Sequence, residues 1–506
     1  MDNCNFRNLK MPKFDVVIIG SGLGGLLCGN ILSKEGKNVC ILEKHHQFGG
    51  NLQTFKRDGK IFETGVHYVG GLSKGQNLHQ YFKYAGIVDK LKLQRLNLDA
   101  FDKINFEGKI YSFAQGFDNF IETLAKDFPS ERSALKEYIN KTKEICSQFP
   151  MYNLKPNLGV NNEHLYFERS VGDFLKSITS NKTLQNVLAG NNMLYAGIPD
   201  KTPVALHALI INSLIEGAYQ FKDGTQQIAD LLIESIINNG GTLMNKSEVQ
   251  KLELNNGKIE SAILSNGEII EADNFISTIH PSLTLKMTDT KLLRKSYRNR
   301  INEIEETISF FAVYFSLKPN CFKYLDHNYY HFNEDNVWSI PNYKTDKWPQ
   351  EYLFLTLPTS NSNMYTETAT AMTYMKYDEV KQWENSSIGK RGNEYEEFKR
   401  QKAEKLIDQI ELQYPGFREC ISSYYTSTPL TLKDYTGTRD GSMYGILHDC
   451  NDPLRTKISP RTKIPNLLLS GQNTNIHGVL GVTIGSVHTC TEMLGMEYLL
   501  EKINNA

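Results

Sequence analysis

At 506 residues the chain is longer than one hydrophobic core usually organises, so two or more structural lobes are expected. Apolar residues make up 40% and charged residues 22%, a globular balance that excludes a disordered chain. A formal net charge of -1 excludes a general attraction for nucleic acid.

From Phe14 the sequence reads FDVVIIGSGLGGLLCGNILSKEGKNVCILEK. Val16 to Ile19 form a continuous apolar run, the pattern of a parallel strand buried on both faces. Gly20, Gly22 and Gly25 follow at G-x-G-x-x-G spacing, with Ser21 and Gly24 between them, and an apolar helical stretch runs from Leu26 to Leu32. Gly36 stops that helix, Val39 to Leu42 make a second strand, and Glu43 closes it. This is a Rossmann fingerprint in order. Gly20 allows the tight turn, Gly22 clears the way for backbone amides to reach a pyrophosphate, and Gly25 lets helix and strand pack closely. Glu43, with Lys44 beside it, stands where a carboxylate accepts from both ribose hydroxyls. Gly49 and Gly50 add a second glycine turn soon after the acid, the extension that marks FAD proteins of the glutathione-reductase type. No second fingerprint opens a helix elsewhere, so a dedicated nicotinamide domain is not expected and the electron donor or acceptor is external.

The stretch GGNLQTFKRDGKIFETGVHYVGGL, from Gly49, resembles the retinol saturase and carotenoid cis–trans isomerase branch of the phytoene desaturase-like flavoproteins. There a double glycine leads through a hairpin to a T-G-x-H-Y-x-G segment beside the flavin. Thr64, Gly65, His67, Tyr68 and Gly70 match it, whereas Asn51 stands where many relatives carry arginine. Further along, YQFKDGTQQIAD at Tyr219–Asp230 resembles the helix that precedes a strand meeting the adenine near Val249, with Asp223-Gly224 in place of the usual double glycine. The Asn256-Gly257 pair marks a hairpin, and a last strand ends at Ser277-Thr278. Near the end, IPNLLLSGQNTNIHGVLGVTIGSVHTCTEMLG resembles the closing flavin motif. The resemblance implies that Gly471 and Gln472 reach the pyrophosphate or ribityl chain. It further implies a helix opened by Gly478, Val479, Leu480 and Gly481 whose amides face the N1/C2 carbonyl edge of the flavin.

These blocks imply an α/β fold with a discontinuous Rossmann-type FAD-binding domain at residues 1–100, 215–285 and 426–506. A mixed sheet-plus-helix substrate domain would fill residues 101–214 and 286–425. The first insertion carries amphipathic helical stretches such as Phe117 to Phe128, then an apolar segment from Leu184 to Ile215. The second carries strand-like FFAVYFSL, YLFLTLP and TAMTYMKY.

The eight cysteines are scattered without a C-x-x-C pair, so neither a zinc site nor a disulfide framework is expected, and Cys28 and Cys40 read as small core residues. That usage favours a reducing, cytoplasmic setting. Met1 to Lys13 hold no apolar core of signal-peptide length, and no run of about 18 apolar residues marks a membrane span. The basic-then-acidic run Lys291–Glu306 is expected to be a solvated helix face, with peripheral membrane contact as its alternative.

His67, Tyr68 and His477 are the candidate catalytic residues; the structural alternatives are a packing role for His67 and a helix cap for His477. Tyr435 and Tyr444 are expected to line the cavity, and the clusters at Met193–Tyr195 and Met372–Met375 to form core or an apolar tunnel. The resemblance implies saturation, desaturation or isomerisation of carbon–carbon double bonds in a hydrophobic polyene. Two alternatives share the fold. One is an amine-oxidase-like flavoenzyme on a polar substrate; the other is a lipid-binding protein without flavin, similar to the Rab GDP-dissociation inhibitor.

Overall fold

The computed structural model describes residues 12–156, 163–339, 343–360, 364–474 and 476–506; Cys4 and most of the Met1–Lys13 segment lie outside them. β1 (Phe14–Ile19) lies between β2 (Val39–Leu42) and β13 (Ile269–Ser277), parallel to both. Val16, Val17 and Ile18 are wholly buried, which is why the run is apolar without alternation. β10 (Thr242–Met244) extends the sheet beyond β2, and β19 (Leu467–Leu469) pairs with the end of β13. β11 (Val249–Asn255) and β12 (Lys258–Leu264) form a hairpin that joins the start of β13. Its turn residues Asn256 and Gly257 have φ of 51° and 79°, the left-handed pair such a turn needs. Three distant blocks of sequence therefore meet in one seven-stranded sheet. β10 is the strand its short sequence did not announce.

A second seven-stranded sheet comprises β7 (Asp102–Phe106), β8 (Lys109–Phe113), β14 (Ser309–Leu317), β15 (Asn328–Phe332), β16 (Glu351–Thr356), β17 (Thr368–Met375) and β18 (Ile421–Ser427). Its order is β18-β14-β17-β16-β15-β7-β8. The largely helical first insertion thus also supplies an edge hairpin, β7–β8. Strand alternation sorts β14 into two faces. Phe310, Ala312 and Tyr314 join the core shared with the first insertion, while Phe311, Val313, Phe315 and Leu317 pack with Leu406, Ile407 and Ile410 of helix Asn393–Gln413. Because every residue of β14 is buried, the sequence shows no period that separates the faces. Two smaller sheets are the hairpin of β3 (Thr54–Arg57) with β4 (Lys60–Glu63), and the three strands β5 (Val69–Gly70), β9 (Ala218–Phe221) and β6 (Leu93–Arg95).

One expectation is corrected. Cys321 and Cys420, 99 residues apart, are joined in a disulfide with their Cα atoms 5.4 Å apart. The antiparallel pairing of β14 with β18, down to Leu317 opposite Ile421, brings these ends together, and spacing along the chain carries no trace of that. The cysteine argument for a reducing compartment is thereby withdrawn. Cys28 and Cys40 are core residues as expected, both wholly buried. Closing so long a loop is worth about 2–4 kcal/mol, so verified reduction of this bond is expected to lower the Tm in a calorimetric scan by a few degrees.

The basic run forms helix Lys295–Glu303. Arg298 donates to the carbonyls of Leu285, Thr288 and Leu293, and Arg300 to those of Leu454, Arg455 and Lys457. Arg298 thereby anchors the helix to the segment before it and Arg300 to residues 454–457, while Lys295, Ser296, Asn299 and Asn302 are exposed, as a solvated helix face requires. Among the described residues, no helix is long and apolar enough to cross a membrane.

Candidate active site

The glycine loop takes its shape from close contacts. Gly20 has φ of +97° and its amide donates to the Leu42 carbonyl at 2.9 Å, turning the chain off β1. A Cβ on Gly25 would sit 2.0 Å from the Gly20 carbonyl oxygen, so helix Leu23–Lys34 can start here only with glycine. A Cβ on Gly24 would come 3.1 Å from Gly471 Cα, which lets the helix meet the loop after β19. Gly22 differs: its φ is -63° and a Cβ there would meet no protein atom within 4 Å. It faces a cavity of about 1600 Å³.

The second glycine turn lies against the first. The Gly49 amide donates to the Ser21 carbonyl at 3.0 Å, and a Cβ on Gly50 would approach Gly22 Cα to 3.0 Å. Glu43 is buried at the end of β2 and braces the loop: its carboxylate accepts from the Ser21 amide at 3.0 Å, the Ser21 hydroxyl at 2.6 Å and the His45 amide at 2.9 Å. Before helix Gln226–Asn238, Asp223 has φ of +62°, the left-handed conformation that glycine adopts without strain. Its carboxylate accepts from the Ser360 amide at 3.0 Å, which ties this turn to a segment 137 residues along the chain.

The cavity brings together residues from all three cofactor blocks: Gly20, Ser21, Gly22, Gly24, Glu43, Lys44, Gly50, Asn51, Gly65, Val249, Gly471, Gln472, Gly478 and Val479 line it. Gly25 and Gly49 stand behind the wall as packing glycines, and the half-buried Leu480 side chain packs between two core clusters. Helix Gly478–Leu494 directs its first turn at the cavity, with Gly478, Val479 and Val482 in the lining. Exposed amides and positive dipole of that turn suit the anionic edge of a reduced flavin. Glycine turns open to the cavity, a helix start and a buried acid at the end of β2 are together what a dinucleotide requires, so the residues present fit FAD.

Beyond the cradle the cavity continues between apolar walls formed by Phe55, Phe310, Tyr314, Leu353, Met372 and Tyr425. Met193 and Leu194 also line it, whereas Tyr195 is buried against His207 and Met375 lies on the other face of the second sheet. At about 1600 Å³ the space exceeds the roughly 300–1,000 Å³ of a typical small-molecule pocket, enough for a dinucleotide and a sizeable second molecule. Phe55, Phe310 and Tyr314 were not singled out from sequence. Their apolar identity reads as core, and only the fold leaves them facing space.

His67 and Tyr68 line the same cavity. His67 Nδ1 lies 3.3 Å from Glu63 Oε2, and its Nε2 has no hydrogen-bond partner in the protein. Tyr68 turns its hydroxyl into the wall, donating to Asp102 Oδ2 at 3.1 Å and meeting Tyr330 Oη at 2.7 Å. His477 precedes helix Gly478–Leu494 but does not cap it with its side chain. Its Nε2 donates to the Leu194 carbonyl at 3.0 Å, and its ring stacks on Tyr444 with centroids 4.1 Å apart. Burial pushes the His477 imidazole down to about 4, so it is neutral at pH 7 and suited to shaping the wall rather than giving up a proton. Tyr435 and Tyr444 line the cavity as expected.

Comparison with known proteins places this geometry. Residues 23–490 match the family described as "Flavin containing amine oxidoreductase". An all-trans-retinol 13,14-reductase of Danio rerio is 26% identical over 537 residues, covering 97% of this chain and 87% of that protein. A chloroplastic prolycopene isomerase 2 of an Oncidium hybrid cultivar is 24% identical, covering 86% of this chain and 76% of that protein. Among solved structures, an oxidoreductase from Methanosarcina mazei shares the fold with a TM-score of 0.64 at 17% identity, covering 94% of this chain and 99% of that one. With a family match from Leu23 to Cys490 and a cradle built for the cofactor, this chain belongs to the flavin containing amine oxidoreductase family and is an FAD-dependent oxidoreductase.

Proposed function

We propose that the enzyme acts on carbon–carbon double bonds of a hydrophobic polyene, by saturation or by cis–trans isomerisation. The observation that carries this reading is the apolar, aromatic-walled continuation of the cofactor cavity. The reductase and isomerase named above act on retinol and prolycopene by their descriptions, and the chain aligns with nearly the whole of the reductase. A long alkene offers little besides surface and π density, so such a wall binds it by area and excludes water around it.

In this reading residues 1–100, 215–285 and 426–506 hold the cofactor, and residues 101–214 and 286–425 enclose the substrate. Amides of Gly22 and Gly50 would meet the pyrophosphate, Glu43 the ribose, Val249 the adenine, and the first turn at Gly478–Leu480 the flavin carbonyl edge. When bound, the flavin supplies hydride-level electron transfer at N5; the protein orients the alkene and keeps water out. Of the three candidate catalytic residues, Tyr68 and His477 are engaged in the wall by hydrogen bonds with Asp102, Tyr330 and Leu194, which leaves His67 as the candidate for handling a proton.

The test is spectroscopic. Purified protein is expected to be yellow, and anaerobic photoreduction with retinoids or carotenoids to shorten the conjugated absorption (saturation) or shift it at constant mass (isomerisation). No change with any polyene, together with amine-dependent peroxide release, would replace this reading with an amine oxidase.

A further inference from the structure

We propose that the turn carrying Met193 and Leu194 is the stop that selects which double bond of the polyene meets the flavin, and that Tyr444 and His477 are the positioning residues that hold it. The proposal rests on the double-bond chemistry above and adds the element that sets the register of the chain.

Local backbone constraints bring the two holding residues together. Gly445 has φ of +77°, and a Cβ there would lie 1.9 Å from Asn473 Oδ1, so only glycine lets the chain after Tyr444 pass this close to the loop after β19. Asn473 Oδ1 accepts from the Ile446 amide at 3.0 Å and locks that approach. Thr307 fixes the other side, its hydroxyl accepting from the Tyr444 amide at 3.0 Å. Tyr444 is thereby laid on His477, a few residues past Asn473, with the ring planes 22° apart and the centroids at 4.1 Å.

What they hold has little support of its own. Asn192–Tyr195 is one short 3-10 turn, and it ends at Ala196 in the left-handed conformation, with φ of +49°, which a Cβ disfavours. The last carbonyls of such a turn need partners from outside it. Tyr444 Oη donates to the Met193 carbonyl at 3.0 Å, and His477 Nε2 to the Leu194 carbonyl at 3.0 Å. Asn192 Nδ2 ties the turn to the Val337 carbonyl at 2.7 Å. Burial raises the pKa of the Tyr444 phenol and lowers that of the His477 imidazole, so both residues are neutral at pH 7 and each keeps the proton it donates.

Location gives the turn its role. His477 immediately precedes helix Gly478–Leu494, whose first turn lines the cofactor end of the cavity, and one imidazole ring separates that helix start from the Leu194 carbonyl. Met193 and Leu194 line the same cavity, buried and half-buried respectively. They therefore stand at the border between the cofactor cradle and the apolar walls that include Phe310, Leu353 and Met372. A polyene repeats nearly the same double bond along its length, and apolar walls grip it by area without fixing its position. A bulky pair held by its own backbone at that border supplies the fixed point the walls lack.

The test uses the full-length holoenzyme, reduced with dithionite, on all-trans-retinol and the longer β-carotene, and locates the altered bond in each product by NMR. The unaltered enzyme is expected to alter one bond, or one symmetry-related pair, in each. Leu194→Ala and Met193→Ala are expected to yield a second regioisomer and to change the ratio of kcat/KM for the two polyenes about 10-fold, as removal of methylenes from an apolar pocket does. Tyr444→Phe and His477→Phe, which keep a ring but lose the donor, are expected to shift both readouts the same way. His477→Gln, which still donates, is expected to recover most of the selectivity. In the cofactor-free protein the nitrogen-15 signals of His477, assigned by their absence from His477→Gln, are expected to show a single Nε2–H tautomer. Leu194→Val is read if Leu194→Ala fails to fold. An unaltered enzyme that alters several bonds indifferently overturns the stop, as do Met193 and Leu194 variants with unchanged products and an unchanged ratio. Unchanged selectivity in Tyr444→Phe and His477→Phe, or His477 signals averaged between tautomers, overturns the hold. Absence of polyene turnover in the unaltered enzyme removes the double-bond reading itself, and the stop with it.

Discussion

Replacing Gly22 with valine is expected to leave a folded, colourless protein whose affinity for FAD falls about 100-fold or more. The fold tolerates the change because Gly22 has φ of -63°, an ordinary value for any residue, and a Cβ there meets no protein atom within 4 Å. The new isopropyl group projects into the cavity, where the diphosphate must approach the loop amides. Holding the diphosphate off two such donors forfeits about 1.5–3 kcal/mol for each charge-assisted bond, which corresponds to about 100-fold or more in Kd. Gly25→Ala is the contrasting control. Its Cβ would lie 2.0 Å from the Gly20 carbonyl oxygen, so it is expected to damage the turn itself and lower the Tm before any ligand is added. Equilibrium titration with FAD and thermal unfolding of the cofactor-free protein separate the two effects. A Gly22→Val protein that retains full yellow occupancy removes the loop from the cofactor site.

Asp102→Asn is expected to flatten the loss of stability as pH rises from about 4 to 7. Asp102 is wholly buried, and burial pushes its carboxyl from 3.8 up to about 7 despite hydrogen bonds from Asn328, Asn191 and Tyr68. Below pH 3.8 both folded and unfolded chains hold the proton, and the site costs nothing. Between 3.8 and 7 the unfolded chain releases it while the fold retains it, so stability declines with rising pH. Above about 7 the full cost, about 4 kcal/mol, is in place. Glu351, also buried and pushed up to about 7, adds a slope of the same sign, so the contribution of Asp102 is the difference between the two proteins. His207, His327 and His477, pushed down to about 4, act the other way: their contribution is complete above 6.5 and is lost as pH falls toward 4. Chemical denaturation at a series of pH values reads this directly. Parallel curves for the two proteins would show that Asp102 does not titrate across the window.

The cofactor half was legible because its chemistry is local. Strand, glycines, helix and acid from Phe14 to Glu43 are neighbours in sequence, and the turn at Asn256-Gly257 states its own backbone conformation. The two insertions, proposed to enclose the substrate, were legible only as a list of apolar runs. In β14 both faces are buried, so Phe310 and Tyr314 on the cavity side look no different from Phe311 and Phe315 in the core. Glu63 offers a faint signal, an acid four residues before a singled-out histidine, but it takes the tight turn at Gly65 to bring the two together.

The amino-acid sequence by itself determined the α/β class, the dinucleotide loop and the flavin family, since those depend on backbone freedom and spacing within about thirty residues. Tertiary structure alone decided the Cys321–Cys420 bond, the joining of β7 and β8 to the second sheet, the aromatic walls, and the burial that sets Asp102 and His477. The reason is physical. Dielectric surroundings, empty space and contacts between residues a hundred positions apart are properties of packing, and a linear pattern of residue types does not contain them.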